Sequence, residues 1–329
     1  MTLLVFGSIN MDFVAQVPRL PQAGETLLGH RFSTTPGGKG ANQAVAIARL
    51  GAPCKMVGRV GADPFGPELV QHLQTAGVDC GPIRVDSAES SGAAVIEVSD
   101  SGENHIVVIP GANGQMDDSD VNRLVALLPQ ASWLLLQLEI PLPVVLAAAR
   151  AAHRAGVRVM LDPAPVQPLP DELFGYVDVL TPNQTEAEQL TGLSIATVTD
   201  ASEAAHRLRQ RGGSTVVITL GERGAFYLPS EVPSEEQSDA IAVVPAFSVK
   251  AVDTVAAGDV FNGALAVALS HQQGLPHSRE DWYRAIRYAA AAAAIAVTRT
   301  GAQAAIPYAP EVEGFLSQHT GGLTLDRNL

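Results

Sequence analysis

Two kinds of hydrophobic pattern take turns along the chain. Short, near-continuous apolar runs rich in leucine and β-branched residues recur at LLVF (3 to 6), WLLLQL (133 to 138), VRVML (157 to 161), VDVL (177 to 180) and TVVITL (215 to 220). Runs of this kind predict strands of a sheet covered on both faces, because a strand with one wet face would alternate apolar and polar positions. Between them, helical periodicity predicts helices over 40 to 50, 66 to 76, 119 to 128, 143 to 155, 184 to 191 and 200 to 211. Five of these end at a glycine suited to a helix C-terminus: Gly51, Gly77, Gly156, Gly192 and Gly212. The alternation predicts an α/β fold with a doubly wound, mostly parallel central sheet flanked by helices. Ligands of such folds bind beyond the carboxyl ends of the strands.

Two segments break the rhythm. Residues 12 to 35 and 92 to 109 alternate with period two and carry turn chemistry at Pro-Gln-Ala-Gly and Ser-Asp-Ser-Gly-Glu-Asn. They predict a small antiparallel β lid projecting from the main domain; a cover over a site, a subunit contact and an ordinary edge hairpin all fit. The stretch from 230 to 240 reads as a polar acidic loop, residues 319 to 329 as a flexible tail, and the alanine-rich run near 289 to 296 as a close-packed core helix. The expected organisation is one domain over 1 to 318 with the lid inserted.

Composition narrows the partners. A chain of 329 residues can bury a substantial core. Its 34 acidic against 21 basic residues give a net charge of −13, and no Lys/Arg-rich segment appears, which argues against nucleic acid and anionic membranes as partners. The two cysteines, Cys54 and Cys80, form neither a disulfide framework nor a metal-ligand spacing and suit a reducing compartment. The opening MTLLVFGSINMD lacks the basic region of a signal peptide, and the run 288 to 298 is far shorter than a membrane span, so a cytoplasmic location is expected.

Polar residues gather where the fold would keep a ligand. GSINMD (7 to 12) follows the first strand and sets Asn10 and Asp12 at its carboxyl end, where they could grip vicinal hydroxyls or simply form an Asx turn. PGGKGANQA (36 to 44) is a glycine-rich turn before a helix, with one of the chain's three lysines, Lys39, at its centre; Gly40 after the lysine excludes the nucleotide P-loop pattern. Glu139 follows WLLLQL as a helix-start charge or a hydroxyl ligand, and TPNQTE (181 to 186) follows VDVL. Asn183 and Glu186 have the spacing of a capping box, and could also present an amide and a carboxylate to hydrated magnesium. TLGERGAFYL (219 to 228) is a turn suited to a flat base or ribose. In DTVAAGDVFNGAL (253 to 265), Asp259 stands behind Ala-Ala-Gly at the start of an apolar helix, either as a cap or as a group facing the reaction partner of a bound anion.

Taken in order, GSINMD, PGGKGANQA, QLE (137 to 139), TPNQTEAEQLTG (181 to 192), ITLGERG (218 to 224), AVDTVAAGDVFNGAL (251 to 265) and AAAAIAVTRTGAQ (291 to 303) resemble the ribokinase branch of the PfkB-type carbohydrate kinase family over about 310 residues. The resemblance implies ATP-dependent phosphorylation of D-ribose at its 5-hydroxyl, magnesium, an activating potassium ion and a homodimer built through the lid. It implies Asp259 as catalytic base and the N–H groups of Ala256, Ala257, Gly258 and Asp259 as an anion hole for the transferred phosphoryl. Asn10, Asp12, the turn from Gly38 through Lys39 to Asn42, and Glu139 would bind the sugar. Asn183 and the turn from Thr219 through Gly221 to Gly224 would contact ATP, as would Gly258, and Glu186 would orient a magnesium-bound water. Asp253, Val255, Ala296, Arg299 and Gly301 match the family's potassium site, mostly through carbonyls.

The chain departs from the family at two positions. Ala305 stands where relatives often supply a serine oxygen to the cation, and Ala290 where relatives can carry a histidine near the adenine, which is expected to loosen nucleotide selectivity. A deoxyribose or nucleoside kinase and a sugar-binding regulator without catalysis are the alternative readings; an intact Asp259 behind an intact glycine argues against the regulator.

Overall fold

Leu3 and Val5 of the first strand face one hydrophobic core, and Leu4 and Phe6 face another, so a period-two pattern is apolar on both sides. The computed structural model describes residues 2–230, 243–271, 275–276 and 278–319; apart from Ser230, the acidic loop expected over 230 to 240 lies outside them, as does the tail beyond 319. Numbered in chain order, β1 (Thr2–Phe6), β4 (Cys54–Val57), β9 (Ala131–Leu136), β10 (Arg158–Leu161), β11 (Val179–Leu180), β12 (Thr215–Thr219), β13 (Ala225–Leu228) and β14 (Val243–Val244) form one sheet. Its order is β14-β13-β12-β11-β10-β9-β1-β4. From β4 to β12 every pair is parallel, and β13 runs against both its neighbours.

Helices cover both faces, as the unbroken apolar runs require. On one side lie α1 (Lys39–Arg49), α2 (Phe65–Thr75), α8 (Ala257–Ser270), α9 (Arg279–Val297), α10 (Ala302–Ala305) and α11 (Ala309–Gln318). On the other lie α3 (Asp118–Leu127), α4 (Leu142–Arg154), α5 (Asp171–Phe174), α6 (Gln184–Thr191) and α7 (Val198–Gln210). The six helices expected from periodicity are all present within two residues, although the left-handed glycine closing α7 is Gly213, one past the expected Gly212. The alanine-rich run is the second half of the 19-residue α9. Among the described residues no helix is long and apolar enough to cross a membrane.

The two period-two segments fold into a second sheet, β3-β2-β7-β8, from β2 (Asn10–Val17), β3 (Arg31–Gly37), β7 (Gly92–Ser99) and β8 (Asn104–Ile109). Each segment is an antiparallel hairpin, as expected. The hairpins join through a parallel pairing of β2 with β7, from Asn10 opposite Gly92 to Val17 opposite Ser99. Phe13 of β2 packs edge-on against Phe65 of α2 at 5.3 Å, which ties this lid to the domain. A short parallel pair, β5 (Arg59–Gly61) and β6 (Arg84–Asp86), completes the strands.

One helix contact sets up the chemistry. A Cβ on Gly263 of α8 would stand 2.6 Å from the Ala46 Cβ on α1, so only glycine lets these two helices approach this closely. That approach brings the first turn of α1 against the first turn of α8.

Candidate active site

The first turn of α1 begins after Gly38, whose φ of 88° is a left-handed conformation that costs glycine nothing. The turn folds back on the end of β1: Ala41 N–H donates to the Ser8 carbonyl at 2.9 Å. Glu139, following β9, ties the two together, since its Oε2 accepts from Ser8 Oγ at 2.6 Å and from Lys39 N–H at 3.1 Å. Asn113 clamps the same corner from below the lid, accepting from Ile9 N–H and donating to the Ile9 carbonyl and to Asn10 Oδ1 at 2.7 Å. Asn10 and Asp12 are both buried here.

Asp259 sits on the first turn of α8 and is buried. Asn42 Nδ2 donates to its Oδ2 at 2.9 Å and Gln43 Nε2 to its Oδ1 at 3.3 Å. The same Gln43 Nε2 donates to Asp162 Oδ2 at 3.0 Å, and Gln43 Oε1 accepts from Gln137 Nε2 at 2.7 Å. Asn42 Oδ1 is buried with no hydrogen-bond partner, an acceptor left for a ligand.

Above Asp259 opens a cavity of about 200 Å³, bounded by Lys39, Asp162, Asn183, Glu186, Thr219 and the start of α8 from Ala256 to Asp259 with Phe261 and Asn262. Its floor is the amino end of α8, whose N-cap residue, Ala256, has no side chain that can accept from the free N–H groups. Ala256 is the one non-glycine among the described residues with left-handed backbone, at φ 60°, a conformation that costs on the order of 1 kcal/mol. Such strain gathers where function demands it. Beyond its chain neighbours and its own helix backbone, no atom lies within 4 Å of where a Gly258 Cβ would stand, so that glycine faces open space. A larger cavity, about 510 Å³, lies by Arg158, Asp178 and Ser214 at the amino ends of β10, β11 and β12 and contains none of the converging residues.

Burial and crowding of acids govern the charges. Burial, with Glu139 and Asp259 nearby, pushes the Asp12 carboxyl up to about 7. Burial raises Asp259 and Asp162 above the ordinary carboxylate range, against the opposing pull of Lys39. Burial also raises Glu186. For Lys39 burial works to discharge the ammonium, but Asp259, Asp162, Glu139 and Glu186 outweigh it and hold its pKa above the usual lysine value. The half-buried Lys39 ammonium thus offsets several of these acids.

Asn183 and Glu186 form the capping box their spacing allowed: Glu186 N–H donates to Asn183 Oδ1 at 2.9 Å and Asn183 N–H to Glu186 Oε2 at 2.8 Å. Both residues still border the cavity. Thr219 lies beside them, its N–H donating to the Pro182 carbonyl at 3.1 Å, and the turn continues through Gly221 and Gly224, both with positive φ. Next to α8, the Asp253 carboxylate accepts from Val255 N–H at 3.0 Å and Gly301 N–H at 2.9 Å, while Arg299 N–H donates to the Ala296 carbonyl at 3.0 Å. The expected potassium set is therefore one connected loop cluster, with Ala305 buried nearby. Among the described residues no group of three or more His, Cys, Asp or Glu could hold a metal alone. A divalent ion here would need oxygens from a phosphate ligand, with Glu186 among the acids at the cavity wall.

Ser8, Gln43, Asn113, Gln137 and Asp162 belong to this site although residue patterns did not single out their roles. Asp162 carried a readable signal: it directly follows β10, as Glu139 and Asn183 follow their strands. Gln43 carried none, since it sits inside a helix of alanines and its partners are 119 and 216 positions away.

Residues 2–309 match the model of the pfkB family carbohydrate kinases. A ribokinase of Haemophilus influenzae is 43% identical over 315 residues, which cover 96% of this chain and 98% of that protein. Among solved structures, the ribokinase of Thermotoga maritima is 37% identical with a TM-score of 0.82, over 96% of this chain and 99% of its own. Arabidopsis thaliana ribokinase complexed with ribose and ATP is 34% identical with a TM-score of 0.83, over 95% of this chain and 98% of its own.

Proposed function

The chain belongs to the pfkB family of carbohydrate kinases, and from that premise we propose that it phosphorylates D-ribose at the 5-hydroxyl, giving D-ribose 5-phosphate and ADP. It is an ATP-dependent sugar kinase, and a divalent metal accompanies the ATP. Ribose as the sugar is supported by the ribokinases it resembles, one of them complexed with ribose and ATP, and by the buried polar side chains of Asn10, Asp12 and Asn42.

The observation that carries the mechanism is Asp259, buried at the amino end of α8 and held by Asn42 from the glycine-rich turn. Asn10, Asp12, Gly38, Lys39, Asn42 and Glu139 grip the sugar hydroxyls, with Asn42 Oδ1 the free acceptor. The 5-hydroxyl oxygen forms the new bond to the γ-phosphorus as its proton passes to Asp259 Oδ, and the bond to the ADP oxygen breaks. The N–H groups of Ala256, Ala257, Gly258 and Asp259 face the oxygens of the transferred phosphoryl, where charge must be held in a fixed frame. Magnesium, when bound with the nucleotide, neutralises phosphate charge; Glu186 would hold its water. Asn183, Thr219, Gly221 and Gly224 line the nucleotide side. Asp253, Val255, Ala296, Arg299 and Gly301 would hold potassium through carbonyls, and its charge would reinforce the α8 amides.

The lid exposes Phe32, Val95, Ile106 and Val107, apolar side chains that a second copy would cover, so the reading includes a homodimer through the lid. The kinase domain spans 1 to 318 and works in the cytoplasm.

ADP release with D-ribose, 2-deoxyribose, fructose and adenosine, each with magnesium, tests the reading. Preferred turnover of ribose is expected. Faster turnover of adenosine would make it a nucleoside kinase, and ribose binding without ADP release on any sugar would make it a binding regulator.

A further inference from the structure

Asp259 does not stand alone, and the group that connects it to the rest of the core is Gln43. Its single Nε2 donates to Asp259 Oδ1 at 3.3 Å and to Asp162 Oδ2 at 3.0 Å. An amide nitrogen has two hydrogens, so the bridge uses both. The orientation is decided by chemistry, because the flipped amide would set Oε1 against two carboxylate oxygens. Gln137, directly after β9, locks it: Gln137 Nε2 donates to Gln43 Oε1 at 2.7 Å. Gln43, Gln137, Asp162 and Asp259 are each 5% exposed or less, so the chain of bonds through the Gln43 amide runs within the core. No step of the phosphoryl transfer described above uses Gln43, Gln137 or Asp162, yet an unneeded buried polar chain is costly.

We propose that Gln43 is a positioning residue that fixes the Asp259 carboxylate in line with the sugar hydroxyl and locks it to Asp162, with Gln137 setting the orientation of its amide. Asn42 holds one oxygen of the base and Gln43 the other, so the carboxylate plane cannot rotate. The second arm, to Asp162, anchors the amide from the neighbouring strand end and prevents Gln43 from following Asp259 as it takes the proton. The inference rests on Asp259 being the base. The charged groups around that carboxylate are Lys39 from α1, Asp12 from β2, Glu139 after β9 and Asp162 after β10, with Glu186 from α6 bordering the same cavity. Of these only Lys39 favours its ionised form, which leaves the amide donors of Asn42 and Gln43 a large share of that task.

The test uses the full chain with Gln43→Leu, Gln137→Leu and Asp259→Asn, reading kcat and the KM for ribose across pH, and Tm. Gln43→Leu is expected to lower kcat on the order of 10- to 100-fold with little change in the KM for ribose. Loss of a donor to the ionised base also moves the ascending limb of kcat to higher pH. Gln137→Leu, which touches neither carboxylate, should shift both quantities in the same direction by less. It carries the test alone should Gln43→Leu not fold. A lowered Tm with kcat and its pH profile unchanged would make the chain merely structural and overturn the proposal, as would a raised KM with kcat intact. Full activity in Asp259→Asn would overturn the base reading with it, whereas an inactive Asp259→Asn beside an unaltered Gln43→Leu would overturn this inference alone.

Discussion

Asn42 Nδ2 lies 2.9 Å from Asp259 Oδ2, although 217 positions separate the two residues. The turn that would hold the sugar thus touches the group that would deprotonate it. Removing Asn42 takes away a sugar acceptor and a donor to a carboxylate together. Asn42→Ala is expected to lower kcat/KM for ribose through both parameters, by about 2 kcal/mol, the worth of a hydrogen bond to a charged group. Steady-state kinetics reads this, and a change in KM alone would separate the two roles.

Asp259→Asn keeps the shape and the contact with Asn42 but cannot accept the proton. Ribose binding measured by calorimetry should persist while turnover falls on the order of 10²- to 10⁴-fold.

Gly258 borders the cavity with open space where its Cβ would be, so a side chain there would fill the place proposed for the phosphoryl without straining the fold. Gly258→Val should melt near the parent temperature and lose turnover far more than ribose affinity. A variant that loses affinity only would remove the anion hole from this position.

Asp12 is held neutral well above its ordinary value of 3.8, up to about 7, chiefly by burial. Between those values the ligand-free native state keeps a proton that the unfolded chain releases, so stability falls as pH rises through that window. The ionised carboxylate at pH 8 costs on the order of 4 kcal/mol. Asp12→Asn is expected to raise Tm at pH 8, leave it unchanged near pH 4, and weaken ribose binding. Melting curves at the two pH values check the sign.

The loop cluster proposed to hold potassium lacks a side-chain oxygen at Ala305, which is buried beside the loop that Asp253 holds. Ala305→Ser should strengthen activation when sodium is exchanged for potassium, and Asp253→Ala should abolish any difference between the two salts.

The sheet was legible because β1, β9, β10 and β12 are apolar on both faces and leave unbroken runs. β14, two residues long, and β4, with Lys55 in its middle, leave no such trace. The lid hairpins could be read from local turns, whereas the parallel pairing of β2 with β7 joins segments 82 positions apart at Asn10 and Gly92 and leaves no local mark. At the site, Asp259, Glu139 and Asn183 announced themselves by standing next to strand ends or glycines. Asp162 obeyed the same rule and could have been found by it. Gln43 and Gln137 could not, because their value lies in whom they touch.

The contact between α1 and α8 also times the birth of the activity. Asn42 and Gln43 leave the ribosome among the first fifty residues, but α8 begins only at Ala257, so Asp259 and the side chains that hold it meet when most of the chain has been made. Contacts so distant in sequence form late, after the loop between them has closed. Until then Gln43 and the facing helix surface around Ala46 stand exposed on the nascent chain, a surface open to chaperones and to misassociation. Recovery of phosphotransfer in a refolding experiment therefore reports the docking of the last helices rather than collapse of the first strands.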